Sequence, residues 1–94
     1  MVMIQSYKDK DTEKFARLYH VKRFASIEKT ARKKLDQLEI AVTLSDLLTP
    51  PGNRLEVLQG DRKGQYSIRI NNQYRICFRW GSRGPEEVEI VDYH

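Results

Sequence analysis

Cysteine is almost absent. Cys77 stands alone, so no intrachain disulfide can form, and with only two histidines it cannot complete a four-ligand zinc site. A disulfide-stapled secreted domain and a zinc ribbon are thereby excluded, and no metal or other cofactor is expected. Long apolar runs are missing too: none approaches the roughly 18 residues of a membrane-spanning helix. The first thirty residues hold no apolar stretch of signal-peptide length, which points to the cytosol. Five glycines and three prolines leave no flexible linker, and no internal repeat is visible. The Gly60-Asp61-Arg62-Lys63-Gly64 turn lacks the spacing of a phosphate-binding loop, and the signatures of serine hydrolases, zinc proteases and dinucleotide enzymes are absent. What is present is a basic chain of 94 residues with net charge +4 and 39% apolar residues, enough for one domain spanning 1–94.

The apolar pattern changes period part-way along. Residues 2–6 read as a short strand. Asp9 and Asp11 offer helix-start chemistry ahead of Phe15, Leu18 and Tyr19, spaced i, i+3, i+4. Val21 to Phe24 reads as a connection. Ser26 then stands as an N-cap before Ile27, Ala31, Leu35, Leu38 and Val42, which share one helical face. Ser45 to Leu48 suggests one further turn, stopped by Pro50-Pro51-Gly52. From Arg54 onward the period is two: Tyr66, Ile68 and Ile70; then Tyr74, Ile76, Phe78 and Trp80; then Val88 and Ile90. The expected fold is α+β: an N-terminal strand, two helices, then a run of antiparallel strands, with the helices packed on one face of a single sheet.

Residues directly opposite in an antiparallel pair share a face, so the apolar sets must meet. A three-residue loop from Asn71 to Gln73 satisfies this, setting Ile70 against Tyr74, Ile68 against Ile76 and Tyr66 against Phe78. The same register sets Arg69 against Arg75 on the other face, a like-charge pairing that calls for an anion. Residues 52–83 carry seven basic and two acidic side chains, whereas Glu86 to Asp92 carries four acids and no base. Glu87 and Glu89 can neutralise Arg79 and a neighbour across the last hairpin. Otherwise, a helix-free sheet face presenting Arg62, Arg69, Arg75 and Arg79 with Tyr93 and Gln65 suits phosphate contacts and base stacking. The lysines and arginines of the helices form a solvated face or a grip for a large polyanion such as ribosomal RNA. His20 reads as a helix-dipole partner at the end of the first helix or as a surface residue, and Cys77 as a small space-filler.

The chain closes on Asp92-Tyr93-His94, a carboxylate beside an imidazole that titrates near neutrality. Parity places Tyr93 on the Arg75 face. It does not place His94 there, so a bulge or bend must turn that ring inward.

Across the segments Arg54 to Arg62, Gln65 to Ile70, Gln73 to Trp80 and Val88 to His94, together with Ile4 to Tyr7, the sequence resembles the HigB-type toxins of the RelE/ParE toxin–antitoxin superfamily. The resemblance implies a RelE-like fold and a ribosome-dependent endonuclease cutting mRNA in the A site. It also implies a cognate helix-turn-helix antitoxin of the HigA type that represses the shared operon; the operon DNA is then reached only through that antitoxin. The implied cleft is built from Asp92, Tyr93, His94 and Arg75. Some family members carry a further histidine where this chain has Glu56, leaving either Glu56 as its substitute or His94 working largely alone. In the corresponding mechanism, Asp92 or Glu56 takes the 2′-hydroxyl proton, His94 protonates the leaving oxygen, Arg75 binds the transition state and Tyr93 holds the nucleotide. Arg62, Lys63, Arg69 and Arg79 are the expected RNA contacts. Two alternatives carry different chemistry: a ParE-like inhibitor of DNA gyrase, and a non-catalytic module binding RNA or antitoxin.

Overall fold

The computed structural model describes residues 3–92. Strands β1 (Glu56–Val57), β2 (Tyr66–Arg69), β3 (Tyr74–Gly81) and β4 (Gly84–Asp92) form one antiparallel sheet in the order β1-β2-β3-β4. Between β2 and β3 the observed partners are Tyr66 with Phe78, Ser67 with Cys77, Ile68 with Ile76 and Arg69 with Arg75. This is the register expected from a three-residue loop. Asn71 makes the turn, its Oδ1 accepting from the backbone N–H groups of Gln73 and Tyr74, both at 2.8 Å.

Between β3 and β4 the register shifts across Phe78: Cys77 pairs with Glu89, but Arg79 pairs with Glu86. Two β4 residues thus oppose one on β3. Glu87 absorbs the extra residue with φ of 51°, as a bulge requires. The bulge keeps Val88 and Ile90 on the same side as Phe78, where all three are buried.

The strand expected over residues 2–6 does not form among its described members. Residues 5–8 instead run parallel beside β4, joined by a single Tyr7–Val88 bridge. Pro85 has no N–H to offer a ladder, and at the bulge the Glu87 N–H goes to the Ser6 hydroxyl at 2.9 Å. Asp9 then starts a helix at once.

That helix, α1 (Lys10–Ala16), is capped by Asp9, whose carboxylate accepts from the Thr12 N–H at 3.1 Å. The Thr12 hydroxyl, fully buried, accepts from the Ile90 N–H at 3.1 Å and fastens the helix to β4. Only Phe15 of the expected stripe is buried. Leu18 takes φ of 73°, ending the helix, so Leu18 and Tyr19 are 78% and 63% exposed. Arg32 closes this end by donating to the Phe15 carbonyl at 2.6 Å while lying over the Phe15 ring.

The second helix, α2 (Glu28–Ile40), follows directly on a 3-10 turn spanning Lys22–Ile27. Ser26 is therefore inside that turn and makes no capping bond. Ile27, Ala31, Leu35 and Leu38 are buried as their spacing predicts, but the helix stops before Val42, which is 67% exposed; Ala41 is buried instead. The short turn expected from Ser45 to Leu48 forms as a 3-10 turn over Leu44–Leu48, and its Leu47 is buried. Phe15 and Phe24 meet edge to face at 5.5 Å and pack with Leu38, Leu47, Ile68, Ile76 and Phe78 between the helices and the sheet. Each such large side chain, fully buried, contributes about 1.5–3 kcal/mol. The helices thus lie on one face only.

Candidate active site

Alternation along the strands sends the remaining side chains to the opposite face. One row there is Glu56, Ser67, Cys77 and Glu89; the next is Arg69, Arg75 and Val91. Among the described residues no α-helix contributes to this side. Its middle is roofed by the loop after β1, where Arg62 donates to Gln65 at 3.1 Å and to Glu89 at 3.2 Å. Beneath that pair lies Cys77, fully buried, with its thiol pushed up by burial. Glu87 binds Arg79 at 3.0 Å. An added Cβ on Gly64, which has φ of 89°, would come within 2.7 Å of the Arg79 guanidinium, so that side chain lies against the Gly64 backbone. Glu87 and Glu89 therefore neutralise arginines, Glu87 with Arg79 and Glu89 with Arg62. These two basic residues are internally paired; Lys63 is exposed.

Toward the β2–β3 turn the face opens into a cleft of about 260 Å³ lined by Arg54, Glu56, Arg69, Asn71, Asn72 and Arg75. Three arginines and one glutamate among these residues give the lining a net positive charge. The like charges of Arg69 and Arg75 are kept apart by separate partners. Arg69 turns to the Asn72 side-chain oxygen. Arg75 turns inward and is only 9% exposed. Its Nε donates to the Ser67 hydroxyl at 2.7 Å, and its Nη2 to the Arg54 carbonyl at 2.7 Å and the Ser67 carbonyl at 3.4 Å. Glu56 reaches that nitrogen at 3.8 Å while remaining largely in solvent. Among the described residues Nη1 has no hydrogen-bond partner. The ladder's like-charge conflict is thus met by protein oxygens, while the cleft keeps its donors and its positive field for an anion.

Arg54 owes its place to an unusual backbone. The chain turns through Pro51–Asn53, and Arg54 adopts φ of 46° and ψ of 56°, which aims its carbonyl at Arg75. Behind it, Asn53 is fully buried. Its Oδ1 accepts from Lys34 at 2.6 Å and its Nδ2 donates to Gln37 at 3.0 Å and to the Leu47 carbonyl at 3.1 Å. Burial lowers the Lys34 pKa, helped by the neighbouring charges of Lys33 and Arg69.

The structure unites Arg75, Arg69 and Glu56 but not Asp92 with them. Val91 is the residue opposite Arg75, so alternation sends Asp92 against Tyr74 in the helix-side register, where it accepts from the Gln73 amide at 3.1 Å. A shared cleft of Asp92 and Arg75 needs one face for both, and the ladder gives them different ones. Tyr93 and His94, expected to complete the cleft, lie outside the described residues. Ser67, Arg54, Asn71 and Asn72 join the site beyond the residues expected from the sequence. The Asn71-Asn72 turn was readable as a loop at the cleft's edge; the Arg54 conformation had no counterpart in the sequence. No three His, Cys, Asp or Glu residues among those described could hold a metal, and no described helix is long and apolar enough to cross a membrane.

The model of the family described as "RelE-like toxin of type II toxin-antitoxin system HigB" matches residues 5–94. The chain belongs to this HigB-like toxin family. Its similarity extends to Toxin HigB-1 of Vibrio cholerae serotype O1, 52% identical over 56 residues, 60% of this chain and 59% of that protein. A protein of Haemophilus influenzae described only as uncharacterized is 36% identical over 61 residues, 65% of this chain and 60% of its own length. The HigB-like chain thus spans about three-fifths of the curated relatives it matches. In fold it is similar to the toxin–antitoxin complex YoeB–YefM from Staphylococcus aureus, with TM-score 0.63 and 21% identity over 100% of this chain and 98% of that one. A YoeB dimer from the same organism gives 0.58 and 21% over 99% and 97%. At that identity the likeness is one of fold.

Proposed function

We propose that this HigB-like chain is the single-domain toxin of a type II toxin–antitoxin module and acts as a ribosome-dependent mRNA endonuclease in the cytoplasm. Its cleft receives the A-site codon on the 70S ribosome, and its partner is a helix-turn-helix antitoxin of the HigA type, through which alone it meets operon DNA. The observation that carries the reading is the open cleft in which Glu56 stands 3.8 Å from a buried Arg75 and beside Arg54 and Arg69.

RNA brings its own nucleophile, so the protein must align, deprotonate and stabilise charge. The 2′-oxygen bonds to phosphorus as the bond from phosphorus to the 5′-oxygen breaks, leaving a 2′,3′-cyclic phosphate and a 5′-hydroxyl. Glu56 is the carboxylate positioned to take the 2′-hydroxyl proton, since Asp92 faces the helix side. The Nη1 donors of Arg75 meet the charge that grows on the phosphoryl oxygens. His94 supplies the leaving oxygen's proton, and Tyr93 holds the splayed nucleotide. Lys63, Arg69 and Arg54 steer the phosphate backbone; Arg62 and Arg79 reach it only by leaving their glutamates. One acid or base group supplies roughly 10²–10⁴-fold, so much of the acceleration must come from the ribosome's alignment of the codon.

Primer extension on mRNA from cells expressing the protein, beside a gyrase supercoiling assay, tests the reading. Cuts in phase with codons support it. Gyrase inhibition without cuts replaces it with the ParE-like activity, and neither result leaves a binding module.

A further inference from the structure

We propose that Lys34 and Asn53, both on the helix side of the molecule, are positioning residues for Arg75 across the edge of the sheet. A continuous set of bonds connects them. Lys34 sits in α2 and is buried, an expensive place for a cation whose only hydrogen-bond partner among the described residues is the neutral oxygen of Asn53 at 2.6 Å. Asn53 is held from three further sides, by Gln37 of α2 and by the Leu47 and Thr49 carbonyls. It is the last residue of the Pro51–Asn53 turn, and the next residue is Arg54, whose N–H returns to the Pro51 carbonyl at 3.1 Å. Arg54 is left with φ of 46°, a conformation costly for a residue with a side chain and kept only where its surroundings enforce it. The product of that conformation is a carbonyl 2.7 Å from Arg75 Nη2.

Arg75 thus has two supports of different origin. Ser67 belongs to the adjacent strand and comes with the sheet. The Arg54 carbonyl comes from a loop whose path is set by α2. Without it Nη2 loses its shortest bond, and the guanidinium can swing toward Glu56. An apolar side chain at position 34 would fill the core without the cost of a buried charge, so the lysine is better explained by the turn it holds than by stability.

The test compares Lys34→Met and Asn53→Ala with the wild type by two readouts. The first is the Nε–H cross-peak of Arg75 in nitrogen-edited NMR, which reports the guanidinium's hydrogen bonding whatever the protein's activity. The second is cleavage on programmed ribosomes, which rests on the nuclease reading. We expect the cross-peak to move and its exchange with water to speed up in both variants, while the signals of Ile68 and Ile76 stay native. The maximal cleavage rate should fall about 10- to 100-fold, the range for displacing a catalytic group by a distant change, with KM little altered. A stationary cross-peak in both variants overturns the proposal, even where cleavage falls. A loss that only tracks the unfolded fraction overturns it as well. Should Asn53→Ala not fold, Lys34→Met decides alone, because it leaves the Asn53 bonds to Gln37, Leu47 and Thr49 in place. A wild type that cuts no mRNA defeats the nuclease reading, and the cross-peak then decides this one by itself.

Discussion

Ile68 and Ile76 face each other across β2 and β3 on the helix side; one residue further along, Arg69 and Arg75 face each other on the open side. The isoleucines are both fully buried and held by nothing directional, so their contribution is the removal of apolar surface from water. Arg75 is nearly as buried, but each of its bonds is directional: to the Ser67 hydroxyl, the Ser67 carbonyl and the Arg54 carbonyl. One pair of strands therefore stabilises the fold with alternate residues and builds a cation-lined cleft with the residues between them. Changes in these two strand rows should have separable effects: in the isoleucine row, stability falls and chemistry per folded molecule survives; in the arginine row, the reverse.

The largest expected effect breaks the comparison from the helix side. Ile76→Ala should cost about 2–5 kcal/mol in denaturant unfolding, while cleavage per folded molecule stays at the wild-type level. On the open side, Arg75→Lys removes the planar fork that reaches Ser67 and Arg54 together. Single-turnover cleavage should drop about 10²–10³-fold with circular dichroism still native. A smaller effect belongs to the roof: a double-mutant cycle on Arg62 and Glu89 should give roughly 0.2–1 kcal/mol for this partly exposed pair. In either single variant, thiol reagents should reach Cys77 faster than in the wild type.

The smallest effect comes from Asp46, in the Leu44–Leu48 turn. The N–H groups of Thr43 and Val42 hold its carboxyl below the usual range. Its stabilisation is thus complete above the unfolded-state pKa and is lost as pH falls through the lower folded-state value. Asp46→Asn should erase that acid-side slope in a plot of unfolding midpoint against pH.

Much of this was legible in the residue order. The period of two from Tyr66 to Phe78, joined to the requirement that apolar residues pair, allowed one register, and that register alone placed Arg69 against Arg75. The early end of α1 was not legible, because Leu18 continues the apolar spacing and only its positive φ removes it from the helix. Ser26 has the chemistry of an N-cap, but a 3-10 turn running straight into α2 leaves it no free helix end. In the site, Arg75 was readable from parity and resemblance. The oxygens that hold it were not, since the Arg54 carbonyl depends on a backbone conformation imposed by Asn53 and Lys34. Asp92 was drawn toward Arg75 by the motif at the chain end, whereas strand alternation assigns it to the other face.

The most direct test of the central claim is the single-turnover rate of mRNA cleavage on programmed ribosomes for a variant carrying both Arg54→Gln and Arg69→Gln, which keeps the Arg54 carbonyl and the Arg75 bonds. If the cleft grips the RNA phosphate, cleavage should collapse and its salt dependence flatten while the unfolding midpoint holds. Cleavage at the wild-type rate and with the wild-type salt dependence would contradict the account.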